Sequence, residues 1–164
     1  MKLTEMYLAE LEEEAAATRR TLEQVPDGNF DWKPHEKSMI LGYLAQLVAE
    51  LPSWSALVIN QDDFELTSHK QKPVHTSREL VKVLDEGVAQ AREAFTNTTD
   101  EHLMKNWRML VGGKVVLDQP RYLASRHSVF NHWAHHRGQL TVYLRLKDAK
   151  VPSIYGPSAD EPQF

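Results

Sequence analysis

Apolar residues recur at helical spacing in four separate stretches of the chain. Over residues 3–25, Leu3, Tyr7, Leu11, Ala15, Thr18, Leu22 and Val25 fall every three or four positions and so share one helix face. Thr4 is a candidate cap, and Pro26-Asp27-Gly28-Asn29 supplies turn residues that end the pattern. A second helix is predicted from Ser38 as N-cap, burying Ile40, Leu44, Leu47 and Leu51, with Trp54 and Val58 continuing the stripe. Pro52 interrupts that stripe, because it lacks the backbone N–H and its ring clashes with the preceding turn, so a kink or split is expected there. Between these two helices, FDWKPHEK (residues 30–37) reads as a loop whose Phe30 and Trp32 pack down on the body.

Residues 61–75 are polar and read as loop. Thr76-Ser77-Arg78-Glu79 then has the spacing of a capping box, and Leu80, Leu84, Val88, Ala91 and Phe95 make the apolar stripe of a third helix. Thr98-Thr99-Asp100-Glu101 repeats the box and predicts a short turn reaching about Asn106. The period changes in WRMLVGGKVVL (107–117), where two Val-rich runs flank Gly112-Gly113. A two-residue turn of that kind needs positive φ, so a hairpin is predicted. Alone it would be marginal, so it must lie on the helices. A last helix is predicted from Pro120 to Lys147, and the proline-rich tail VPSIYGPSADEPQF cannot be helix. The expected fold is therefore all-α, a four-helix bundle with a small β-hairpin before the last helix, in one domain over residues 1–164.

Composition narrows the function classes. The 164 residues are 41% hydrophobic, enough for a core without staples. There is no cysteine, which excludes disulfides, thiolate ligands and a cysteine nucleophile. The net charge is -4 with both signs mixed, so nothing resembles the basic stripe that nucleic acid requires. The acidic start MKLTEMYLAELEEE is not a secretory signal, and no apolar run is long enough to span a membrane. A cytoplasmic protein without nucleic-acid or membrane partners is expected.

The candidate chemistry lies in NHWAHHRGQL (131–140). At 100° per residue, Ser125, Ser128, Val129, His132, His136, Gln139 and Tyr143 fall in one stripe of the last helix, whereas His135 and His127 turn away. His132 and His136, at i and i+4, can converge on one ion, and neutral imidazole suits zinc, nickel, copper and iron. With eight histidines in the chain, such a spacing also arises easily by chance. The competing reading is a hydrogen-bonded pair at a semi-polar helix interface. Gly138 inside a helix suggests close packing beside the pair, and Arg137 reads as a surface or interface ion-pair donor.

NHWAHHRGQLTVYLR followed by VPSIYGPSADE, together with DWKPHEKSMILGYLAQLVAELPSW, closely resembles the DinB/YfiT-like family of bacterial proteins, and the resemblance covers nearly the whole chain. It implies a four-helix bundle that tends to form homodimers, with a divalent-metal site of three histidines. Two of these correspond to His132 and His136. The third falls where this chain has Leu47, in LGYLAQLVAELP, and leucine cannot ligate. Glu50 is a candidate substitute, a turn from Leu47, and His35 would have to swing in from its loop. The expectation is a degenerate or weakened zinc or nickel site, with Tyr43, Leu47, Gln139 and Tyr143 lining a pocket that takes a small ligand. The alternative is a metal-dependent enzyme of the thiol-transferase or hydrolase type, in which Glu50 or a water completes the site.

Overall fold

The computed structural model describes residues 2–163. Helix α1 (Leu3–Leu22) buries Tyr7, Leu11, Thr18 and Leu22, as its periodicity requires. Its first turn is held from outside. The Asp100 carboxylate accepts from the Leu3 and Thr4 backbone N–H groups at 3.0 and 3.2 Å, neutralising two of the donors that a helix start leaves unpaired. Asp100 opens the short helix α5 (Asp100–Leu103), whose cap is Thr99, accepting from His102 N–H at 3.2 Å.

Helix α2 (Leu41–Glu50) starts later than Ser38. Its cap is Ile40, with no side-chain bond. The preceding loop does the capping instead: Leu41 N–H donates to the Trp32 carbonyl at 2.7 Å and Gly42 N–H to the Phe30 carbonyl at 2.9 Å. Glycine is needed at position 42 because a Cβ there would stand 2.7 Å from Phe30 Cδ1. At Pro52 the helix breaks into a 3₁₀ turn, Leu51–Ser53, before α3 (Trp54–Asn60) resumes. Helix α4 (Ser77–Asn97) carries the expected capping box, with Thr76 accepting from Glu79 N–H and Glu79 reaching back to Thr76 N–H.

The predicted hairpin is part of a larger sheet. Strands β2 (Asn106–Val111) and β3 (Lys114–Pro120) pair antiparallel around Gly112 and Gly113, with φ of 58° and 77°. Strand β1 (Asp63–Glu65), from the stretch expected to be loop, adds to β2 in parallel, giving the order β1-β2-β3. Glu65 ties the sheet together. Its carboxylate accepts from Gly112 N–H (3.0 Å), Gly113 N–H (2.8 Å) and Thr67, and these bonds to the charged form pull its pKa down to about 2. Pro120 ends β3 instead of sitting in a first helical turn.

The last helical stretch is not uniform. Helix α6 (Arg121–Ala124) passes into a π-helical segment, Ser125–Asn131, and then into α7 (His132–Leu146). The chain is thus mostly helical with a small three-stranded sheet, and its helices are more segmented than a simple four-rod bundle. Helix α4 packs against α1, α2 and α3, and α2 packs against α7, with a smaller contact between α1 and α7. Tyr7 stacks between Phe95 and Phe130 at their centre, with centroids 5.2 and 5.4 Å away. Among the described residues, no helix is long and apolar enough to cross a membrane.

Two charged residues belong to the interior. Arg121 is 2% exposed and donates to the carbonyls of Gln61, Lys105 and Asn106 and to Asp62. Arg137 is 1% exposed, which makes it the interface ion-pair donor, and not the surface one, of the two readings its sequence context allows. It pairs with Glu14 at 2.5 Å, donates to Thr18 Oγ1 at 3.0 Å and to Tyr155 Oη at 2.6 Å, and lies against the Tyr155 ring. The C-terminal tail is thereby fastened to α1 and α7, assisted by Arg145 pairing with Asp160.

Candidate histidine site

Position α7 beside α2, and the two histidines on its inner stripe meet. His132 Nε2 and His136 Nε2 are 2.8 Å apart. The far nitrogen of each ring is held by an acceptor: His132 Nδ1 lies 3.3 Å from the Ser128 carbonyl, and His136 Nδ1 lies 2.7 Å from Gln139 Oε1. These contacts ask each Nδ1 to carry the proton, which leaves both Nε2 lone pairs facing one point. Holding a ring by its outer nitrogen is how proteins orient imidazole toward a cation. Without a cation, two bare lone pairs at that distance repel. One ring must then move its proton to Nε2, and His132 has the weaker outer bond to give up.

Burial is the largest cause pushing both imidazoles below the ordinary histidine value. For His132 the neighbouring His136 pushes further the same way, while at His136 the Gln139 bond partly opposes it. A pKa lower in the folded than in the unfolded state means that the unfolded chain binds protons first. This stability is complete above the unfolded value, 6.5, and is lost as pH falls below it toward the folded values. Urea midpoints are expected to drop between about pH 7.5 and about pH 5.5, and a His132→Gln/His136→Gln double variant should flatten that slope. An unchanged slope in the double variant would assign the acid sensitivity to other groups.

Trp54 packs edge-on against His132, with centroids 5.8 Å apart, and also against His69 at 5.7 Å. His69 was not a sequence candidate, since nothing in a polar loop marks it as a neighbour of α2. Its Nε2 approaches Glu50 Oε2 at 3.4 Å, and the other Glu50 oxygen accepts from Gln46 Nε2 at 2.7 Å. Glu50 therefore has partners of its own. His35 sits in an exposed turn, where its Nδ1 accepts from Lys37 N–H. Among the described residues, no group of three or more His, Cys, Asp or Glu side chains is placed to hold a metal ion.

The four expected pocket residues do not share one cavity. Gln139 and Tyr143 line a cleft of about 410 Å³ with Lys37, Ser38 and Met39. Tyr43 lines a different cavity of about 270 Å³, and Leu47 is buried in the core. Trp32 packs edge-on against Tyr143, whose hydroxyl donates to the Met39 carbonyl at 3.2 Å. Gly138 gives no close packing: it is exposed, and a Cβ there meets nothing within 4 Å. Gly138→Ala is accordingly expected to raise stability by about 0.5–1 kcal/mol in a urea titration, through helix propensity alone. A loss would mean that the glycine serves a contact beyond this chain.

The family model described as DinB family matches residues 1–163. The chain belongs to the DinB family. It is 27% identical over 165 residues to the uncharacterized protein YrdA of Bacillus subtilis (strain 168), covering 94% of this chain and 89% of that one. Two solved structures share the fold. The DinB-like protein YjoA of Bacillus subtilis superposes with a TM-score of 0.70 at 19% identity, covering 90% of this chain and 96% of that one. A DinB-like protein of Bacillus cereus ATCC 10987 does so with a TM-score of 0.72 at 21% identity, covering 92% and 97%. At such identities the likeness to this DinB chain concerns the fold.

Proposed function

We propose that this DinB protein carries a weakened divalent-metal site, reduced to the chelating pair His132 and His136, beside a cleft that takes a small ligand. The observation that carries the reading is the pair itself: two Nε2 atoms 2.8 Å apart, each ring oriented from behind, while the His135 ring packs edge-on against His136 at 4.9 Å and no set of three donors able to hold a metal forms among the described residues. A resident catalytic zinc takes three protein ligands. This donor set does not fit such a centre. Two imidazoles hold an ion weakly and exchange it readily.

The second reading is a metal-dependent enzyme of the thiol-transferase or hydrolase type completed by Glu50. It draws on one observation, that Trp54 touches both His132 and the His69 ring beside Glu50. Glu50 would have to leave Gln46 and His69 to serve. The test is metal content of the untagged chain after incubation with zinc, nickel or manganese and desalting. Well below one equivalent is expected. One retained equivalent would overturn the weakened-site reading and make Glu50 the next residue to replace.

A further inference from the structure

The cavity of about 270 Å³ that Tyr43 lines is separate from the histidine pair. It lies between the loop after α1, the start of α2 and the segment 71–75. Its walls include Phe30, Ile40, Tyr43 and Val74, and the fold leaves Ile40 37% and Tyr43 49% exposed around it. A concave apolar surface with a few placed polar groups is the usual form of a small-molecule site.

The placed groups here are acceptors. Gln46 is only 5% exposed. Its Nε2 donates to Glu50 Oε1 and to the Lys72 carbonyl, both at 2.7 Å. Both partners can only accept, so the amide cannot be turned round without setting oxygen against oxygen. Its Oε1 is thereby fixed in orientation. No donor among the described residues reaches it, yet it is not sealed in protein, which leaves it open toward the cavity it lines. Asp31 is exposed at the cavity, no described hydrogen bond or ion pair engages its carboxylate, and neither lysine nor arginine lines the walls. The remaining polar neighbours include His75, which is exposed.

We propose that this cavity binds a small apolar amine, a single aromatic ring or branched alkyl body carrying a primary ammonium group. The ammonium supplies only donors, and it meets the Asp31 carboxylate, Gln46 Oε1 and the face of the Tyr43 ring. A dry cavity of roughly 150 Å³ accommodates benzene, so the volume here suits one ring with a short chain. A carboxylate ligand would face the Asp31 carboxylate and Gln46 Oε1 with no lysine or arginine to offset them, the remaining polar side chains of the lining, Gln71, His75 and the Tyr43 hydroxyl, being able to donate without a fixed charge. A hydrocarbon would leave the half-buried amide oxygen without water or partner. The site owes nothing to the histidine pair, so the two proposals stand or fall separately.

The test is titration of the ¹⁵N-labelled full chain, in chelator, with 2-phenylethylammonium, 2-phenylethanol and phenylacetate. The ammonium is expected to give saturable shifts confined to residues 30–31, 40–46 and 71–75. 2-Phenylethanol should bind about 5-fold more weakly, the difference between a charge-assisted and a neutral hydrogen bond, and phenylacetate, which carries a charge of the same sign as Asp31, more weakly still. Asp31→Asn, which removes an unpaired surface charge, should weaken the ammonium by about 5-fold and leave 2-phenylethanol unchanged. Val74→Trp should abolish all binding by filling the space. The proposal is overturned if the ammonium gives no saturable shift at those residues, if phenylacetate binds as well, or if Asp31→Asn has no effect on the ammonium.

Discussion

Arg121→Met is expected to lower the free energy of unfolding by about 3–5 kcal/mol, the cost of breaking a buried charged network from one side. The guanidinium is 2% exposed and joins three chain segments. One nitrogen donates to the Lys105 and Asn106 carbonyls at 3.3 and 2.6 Å, the other to the Gln61 carbonyl at 3.1 Å and to Asp62 Oδ1 at 2.6 Å. Methionine fills much of the volume but takes the side-chain donor from the Asn106 and Gln61 carbonyls, whereas the Lys105 carbonyl keeps the residue-121 backbone N–H at 2.9 Å, and each buried orphan costs about 1–3 kcal/mol. The carboxylate matters less, because the Asp62 side chain is 91% exposed. Asp62→Asn should therefore cost under about 1 kcal/mol. Urea midpoints of the two variants test the contrast. If Asp62→Asn were the more damaging, the ion pair and not the carbonyl network would be holding the sheet to the last helical stretch.

The second large effect concerns metal. On the proposed weakened-site reading, the absent third ligand belongs at Leu47, on the helix that packs against α7. Leu47→His is expected to raise zinc or nickel affinity at least about 100-fold over the unsubstituted chain, since even a lost outer partner of a ligand costs 10–100-fold. The same change should carry opposite signs with and without metal. Position 47 is only 7% exposed, so an imidazole there without an ion loses core packing and gains an unpaired polar group. The apo variant should melt below the parent, and added zinc should raise it by mass action on the folded state. A variant that melts lower and ignores zinc would show that position 47 does not face the pair, and the weakened-site reading would lose its explanation.

How far the sequence carried depended on the range of the forces involved. Helices α1 and α4 are written in local patterns, a periodic stripe and a capping box, and both formed where expected. The break at Pro52 and the turn at Gly112-Gly113 follow from backbone chemistry at single residues. Strand β1 left no such trace. Asp63-Phe64-Glu65 is too short to alternate visibly and becomes a strand only by pairing with β2, more than forty residues on. The burial of Arg121 was unreadable for the same reason, and for Arg137 the sequence offered an ion-pair donor without saying whether at the surface or an interface: an arginine inside a protein is tolerated when distant acceptors converge on it, and the local sequence reports none of them. The spacing of His132 and His136 foretold that the rings share a face. Their outer partners Ser128 and Gln139 lie on that stripe too, so the orientation was within reach of the same pattern. The engagement of Glu50 by Gln46 and His69 was not, because a loop residue supplies half of it.

The π-helical segment Ser125–Asn131 separates two fixed points, the Arg121 network before it and the histidine pair after it. Such a segment contains a residue more than an α-helix needs for the same number of turns. Deleting one residue anywhere within it would let the stretch close into ordinary helix while both fixed points kept their places. The count of residues between arginine and histidines is therefore an elastic ruler, free to differ by one between chains that build the same site. The four-residue step from His132 to His136 has no such slack, because a single insertion there would swing one imidazole off the shared face.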